Sequence, residues 1–371
     1  MALIKVKHRV IDELNSKGKL FPVWKYVERC GFIDKTGKIV IEPKFDDGHG
    51  FINETAQVRM GYKTALIDKK GNYVIPPKYT WVNPFSEGLA GINSFDWWGY
   101  IDVSGTVVVK PQYGMIGEWE FGAPTDFHEG LARVRKDKKW GFIDKTGKEV
   151  IPLIYNRADD FSEGLARVYI KKRWGFIDKQ GKIVIPISHV EGEAKKNYWS
   201  LWNYYLIDQS GGWQTIRPFG GGFKDGIAAV QMGKKFGFMD KNGKMKIPAV
   251  YDCVGEFEEN LCNVTLDDKW GYMNDSGKVV IPLKYDGALS FSEGLAMVMI
   301  GNKWGCIDKK GEIVIKPQFT SINSFNNGLA FVWTDTGCKY IDKTGKTIWS
   351  TVMIPFAKSI AQIAEEYRKN K

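Results

Sequence analysis

Trp140-Gly141-Phe142-Ile143-Asp144-Lys145-Thr146-Gly147-Lys148 recurs, with substitutions, along almost the whole chain of 371 residues. Its acidic or amide anchor falls at Asp34, Asp68, Asp102, Asp144, Asp178, Asp208, Asp240, Asn274, Asp308 and Asp342, most often 34 positions apart. A glycine stands three places after every anchor, from Gly37 to Gly345. Asp at the start of a turn accepts backbone N–H bonds, and Gly near its end supplies the positive φ of a hairpin with a G1 bulge. Each copy therefore holds a hairpin. Its second strand, such as Val279-Val280-Ile281, is β-branched, and a proline then ends the ladder at Pro43, Pro76, Pro111, Pro152, Pro186, Pro248, Pro282 and Pro317.

Between hairpins runs a second phrase, typified by Phe161-Ser162-Glu163-Gly164-Leu165-Ala166-Arg167-Val168. An anchoring aromatic, a tight turn and a further strand make each copy a three-strand antiparallel meander. In the central strand Trp and Phe share one face while Gly and Ile share the other, so both faces need cover. Copies must therefore stack to bury a continuous core. The expectation is an all-β chain of about ten repeats of roughly 34 residues, stacked as an elongated solenoid or superhelix with short helical caps. A closed, propeller-like array is the alternative. Trp98, Trp140, Trp174, Trp270 and Trp304 are expected at equivalent core positions.

The chain divides on this reading into an N-terminal cap or eroded repeat (1–29), repeats one to five (30–187), an irregular centre with a degenerate sixth repeat (188–223), repeats seven to ten (224–349) and a C-terminal capping helix (350–371). The last rests on Phe356, Ile360, Ile363, Ala364 and Tyr367 at helical spacing.

These motifs resemble the WG-repeat family of bacterial proteins over residues 30–349. The resemblance implies a β-repeat fold and an interaction surface, and it places such proteins among bacterial conflict or immunity systems that hold a toxin or effector. It implies no substrate.

Composition narrows function by exclusion. Cys30, Cys253, Cys262, Cys306 and Cys338 have no metal or redox spacing and read as buried thiols. His8, His49, His128 and His189 share no motif with a nucleophile or metal partner, and no phosphate loop or serine elbow is present. The reading is therefore of no catalytic residues, no metal and no cofactor, in a protein expected to be cytoplasmic. The net charge of +10 arises partly from fifteen lysines in the hairpin turns, which stacking would align into a basic stripe able to meet a polyanion such as nucleic acid. A protein partner is the favoured alternative. Its contacts are placed where the consensus fails and aromatic density rises: Trp119 in the long third copy, and Tyr198, Trp199, Trp202, Tyr204 and Trp213 in the centre.

Overall fold

The computed structural model describes residues 21–352 except 26–28, 35–37, 53, 95–96, 115–125, 191–221 and 327. Among these residues every regular element is a strand, in nine antiparallel sheets. We number the sheets in chain order. Sheet 1 comprises Phe21–Lys25, Arg29–Ile33 and Ile39–Phe45; sheet 2 is Asp47–Ile52, Thr55–Met60, Lys63–Ile67 and Tyr73–Tyr79; sheet 3 is Trp81–Val82, Leu89–Ser94, Trp97–Asp102 and Val107–Gly114. Sheet 4 comprises Leu131–Lys136, Lys139–Asp144 and Glu149–Tyr155; sheet 5 is Arg157–Ala158, Leu165–Ile170, Arg173–Asp178 and Ile183–Val190; sheet 6 is Phe223–Lys224, Ile227–Met232, Lys235–Asp240 and Met245–Tyr251. Sheets 7 to 9 repeat the pattern from Cys253–Glu258 to Thr347–Val352.

The Asp-Gly turns form as their chemistry demands. In sheet 4 the Asp144 carboxylate accepts the N–H groups of Thr146 and Lys148, and Gly147 adopts φ +86°. That glycine is required twice over: a Cβ on it would come within 2.8 Å of Val109 in sheet 3. The Trp-Gly glycine answers a different need. Across the bulge between Trp140 and Phe142, a Cβ on Gly141 would lie 2.5 Å from the carbonyl of Ile151. Pro152 sits at this bulge in the outer strand, Glu149–Tyr155, and is exposed. Proline thus marks the bulge of an edge strand rather than ending the ladder, because the outward side of an edge needs no donor.

Eight apolar clusters each join two consecutive sheets among the described residues. Trp140, Phe142, Ile151, Ala158, Phe161 and Val168, for example, bind sheet 4 to sheet 5. Trp98, Trp140, Trp174, Trp270 and Trp304 are all buried in such clusters, as their pattern requires. Burying Trp140 and Phe142 on one face and Ile143 on the other covers the central strand on both sides.

Two expectations are corrected. The unit has four strands rather than three wherever its first strand is described; that strand pairs over as little as two residues, as at Arg157–Ala158, too short for any alternation to show. The sheets follow one another as blades of a propeller ring and not along an elongated solenoid. The physical reason is taper. In sheets 5 and 8 the inner edge is a two-residue strand with small residues, Ala158 and Gly287-Ala288, while the outer strand of sheets 4 and 7 runs seven residues and ends on a large aromatic, Tyr155 or Tyr285. Stacked wedges turn through an angle at every step, whereas parallel-sided layers would extend.

No described residue is helical. The C-terminal capping helix was assigned to 350–371, but the final strand runs through Val352, and the rest of that segment lies outside the described residues. In the N-terminal segment, Phe21–Lys25 is a strand of sheet 1. No helix is long and apolar enough to cross a membrane among the described residues.

Candidate recognition face

The ring has two faces of different character. One carries the Asp-Gly turns and the Ser-Glu-Gly turns. The glutamate of each Ser-Glu-Gly turn is held by the next sheet in five places. Glu87 accepts the N–H of Gly130 and pairs with Lys145, each at 3.0 Å. Glu129 does the same with Gly164 and Lys179, Glu163 with Gly226 and Lys241, Glu259 with Gly294 and Lys309, and Glu293 with Gly328 and Lys343. Lys69 pairs with Glu54 as well. Burial acts to raise the carboxyls of Glu87, Glu163 and Glu259, but the lysine ammonium and the glycine N–H outweigh it and hold them below their ordinary range.

At the inner edge, side chains of the second strand reach across to the next sheet. Gln57 donates to the carbonyl of Val82, Arg133 to that of Ala158, and Asn263 to that of Ala288. Around Arg133 this becomes a buried ionic cluster: Arg133 and Arg167 both face Asp159, and Arg133 also lies 3.3 Å from Asp160. Arg133 stacks 4.8 Å above the Trp140 ring. Burial raises the Asp126 carboxyl, against the Asn83 amide bonded to it, and burial with the nearby Asp126 and Asp160 carboxylates pushes Tyr100 well above the usual phenol range. Arginines sandwiched between carboxylates and indole rings brace neighbouring sheets.

The other face carries the two-residue hairpins between second and third strands, with both residues at positive φ in Asp137-Lys138 and Asp267-Asp268. Most of these tips are charged. Sheet 2 instead has Gly61-Tyr62, and the Tyr62 ring is 93% exposed. In sheet 3, Trp97 beside the tip is 50% exposed and Trp81 is 38% exposed, its indole N–H donating to Asn83 at 2.9 Å.

This hairpin face is also where the chain crosses between sheets, and the outer strands Val107–Gly114 and Ile183–Val190 end on it. Tyr155 and Phe161 lie six positions apart, as do Tyr251 and Phe257 or Tyr285 and Phe291. Their counterparts Tyr113 and Phe127 are 14 apart, and His189 and Phe223 are 34 apart. His189 occupies the aromatic's place, pairing and stacking with Trp174 at 4.5 Å, where burial lowers its imidazole. Sheet 5 packs directly on sheet 6 across this gap: Phe176 meets Phe223 at 4.9 Å, and the Ser162 hydroxyl donates to the Phe223 carbonyl. The two sheets that flank residues 191–221 are therefore neighbours.

Trp119, Tyr198, Trp199, Trp202, Tyr204 and Trp213, the residues assigned to partner binding, lie outside the described residues. The exposed rings of Tyr62, Trp81 and Trp97 are not among the residues so assigned. The signal for Tyr62 is its place in a hairpin tip whose counterparts are charged.

The sequence matches the model of the WG containing repeat over residues 31–63, 66–93, 98–140, 140–173, 174–187, 236–270, 270–304 and 304–332. The chain belongs to this WG-repeat family. The matches skip 188–235, around the gap bridged by sheets 5 and 6. No curated protein matches the sequence. Among solved structures, this WG-repeat chain resembles a crystal structure of the eukaryotic initiation factor, at 10% identity and a TM-score of 0.57, covering 91% of this chain and 96% of that one. The apo AztD structure from Citrobacter koseri is similar at 13% identity and a TM-score of 0.42 over 79% and 92% of the two chains. The dihydro-heme d1 dehydrogenase NirN in complex with DHE gives 10% identity and 0.45 over 92% and 74%. At such identities the first likeness concerns the fold alone.

The thiols of Cys30, Cys253, Cys262 and Cys306 are buried. Burial pushes Cys253 and Cys306 up to about 12 and raises Cys262 too, so these thiols are held in the unreactive neutral form.

Proposed function

We propose that this WG-repeat propeller is a non-catalytic scaffold that holds a protein partner on its hairpin face. The observation that carries the proposal is the contrast between faces. The turn face is committed to interlocking its own sheets, while the hairpin face exposes Tyr62, Trp81 and Trp97. Exposed aromatic rings are the usual anchors of protein recognition, since they bury large area at small cost in side-chain entropy. A toxin or effector of a bacterial conflict system is one partner of this kind.

A polyanion bound along the turn lysines is the weaker reading. Lys69, Lys145, Lys179, Lys241, Lys309 and Lys343 are each paired with a glutamate, which offsets the charge a phosphate backbone would meet there.

Capture from the native host tests both readings with three baits: the wild type, a Tyr62→Ser, Trp97→Ser variant, and a Lys148→Glu, Lys182→Glu variant of the turn face. The proposal expects a protein enriched by the wild type to be lost from the first variant and retained by the second. Loss from the second alone, with nucleic acid in the wild-type eluate, would overturn it.

A further inference from the structure

The repeat allows each inner-edge position to be compared with its counterparts; two of them, Gly91 in sheet 3 and Ala229 in sheet 6, lack a long side chain, and Ala229 borders a pocket. Arg133, in the second strand of sheet 4, fills the space before sheet 5, donating to the carbonyl of Ala158 and facing Asp160 at 3.3 Å. Two sheets on, the same position in sheet 6 is Ala229. The acceptor side is retained: Val254 stands in the place of Ala158, and Glu256, immediately before Phe257, stands where Asp160 precedes Phe161. Gly255 replaces Asp159, and the Asn263 amide takes the place of a side chain there without appearing in the lining of the pocket beside Ala229. The result is an open pocket of about 160 Å³ between sheets 6 and 7, lined by Ala229, Phe238, Gly255, Glu256 and Phe257 and bordered by Ser162 and Phe223. That volume is far above the ~10–15 Å³ that admits one water.

We propose that this cavity binds an alkylguanidinium group, which takes the place that Arg133 occupies in sheet 4. The chemistry follows the internal counterpart: the Glu256 carboxylate accepts the planar donor fork, and Phe238 is the cross-strand neighbour of Ala229 as Phe142 is of Arg133. The one cationic lining residue, Lys224, is paired with Glu258, so its charge is already met. The group can arrive on a small free guanidine or on an arginine side chain of a bound peptide. The cavity lies at the inner edge, apart from Tyr62, Trp81 and Trp97, and the inference stands independently of the hairpin-face reading.

Calorimetric titration of the full chain with methylguanidinium, with a short peptide bearing one arginine, and with its lysine counterpart tests it. Binding of methylguanidinium and of the arginine peptide is expected, with the lysine peptide weaker at least tenfold. Tighter binding of the peptide identifies an arginine side chain as the guest, and tighter binding of methylguanidinium identifies a free guanidine. Glu256→Gln is expected to weaken both at least tenfold with an unchanged melting temperature, and Ala229→Arg, which supplies the group internally, to abolish both. Absence of binding by the wild type, or binding untouched by Glu256→Gln, would overturn the inference.

Discussion

The backbone N–H of Gly226 donates to the carboxylate of Glu163 at 3.0 Å, across 63 positions of sequence. The equivalent bond from Gly164 to Glu129 spans 35 positions. The same contact is made at two very different separations because the sheets on either side of residues 191–221 are packed together without an intervening sheet. The repeat is continuous in space where it is interrupted in sequence.

Deletion of residues 191–221, with a short Gly-Ser joint between Val190 and Gly222, is therefore expected to leave the propeller intact. The Phe176, Phe223, Val230 and Met239 cluster, the Ser162–Phe223 bond and the Glu163–Lys241 pair all survive the deletion. A cooperative thermal transition within about 4 °C of the wild type is predicted, the shift that ~1 kcal/mol produces in a large domain. Loss of cooperative unfolding would show that the segment is part of the stack.

Asp159 is 2% exposed and shared by Arg133 and Arg167, which are 4% and 2% exposed. Asp159→Ala leaves two buried guanidinium groups short of their common carboxylate and is expected to cost about 3–5 kcal/mol. Thermal or denaturant unfolding reads this directly. A loss below about 1 kcal/mol would mean that the cluster is hydrated and contributes little.

The ladder of glutamates sets a pH dependence with a definite sign. Although burial works the other way, lysine and glycine donors hold Glu87, Glu163 and Glu259 below their ordinary range. A depressed folded-state pKa gives stability that is present above the unfolded value of about 4.3 and is lost as pH falls through the folded value. The melting temperature should fall on acidification below about pH 4, and the difference between wild type and Glu259→Gln should shrink over the same window. A difference that stays constant from neutral pH through this window would remove the ladder from the stability account.

Much of this architecture was legible because turn chemistry is local. Asp144 and Gly147 announce their hairpin whatever surrounds them, and the alternation of Trp140 and Phe142 against Gly141 and Ile143 shows a strand covered on both faces. Closure was not legible, since it depends on the small angle added at each step by the taper from Ala158 to Tyr155, and no single residue encodes an angle. The fourth strand of the unit was hidden for another reason: Arg157–Ala158 is too short to carry a period. The pairing of the turn lysines was hidden, because Lys145 and Glu87 lie 58 positions apart and sequence alone does not pair them. Tyr62 was overlooked because an exposed ring in a repeat that buries most of its aromatics looks like one more core residue until burial is known.

The adjacency of sheets 5 and 6 is the central claim, and zero-length carbodiimide cross-linking followed by peptide mass spectrometry tests it most directly. Lys241 lies 3.0 Å from the Glu163 carboxylate, the separation of the sibling pairs Glu129–Lys179 and Glu293–Lys343. All three cross-links are predicted from the same digest, at comparable yield. Recovery of the two sibling links without the Glu163–Lys241 link would contradict the account, because it would separate the two sheets in solution.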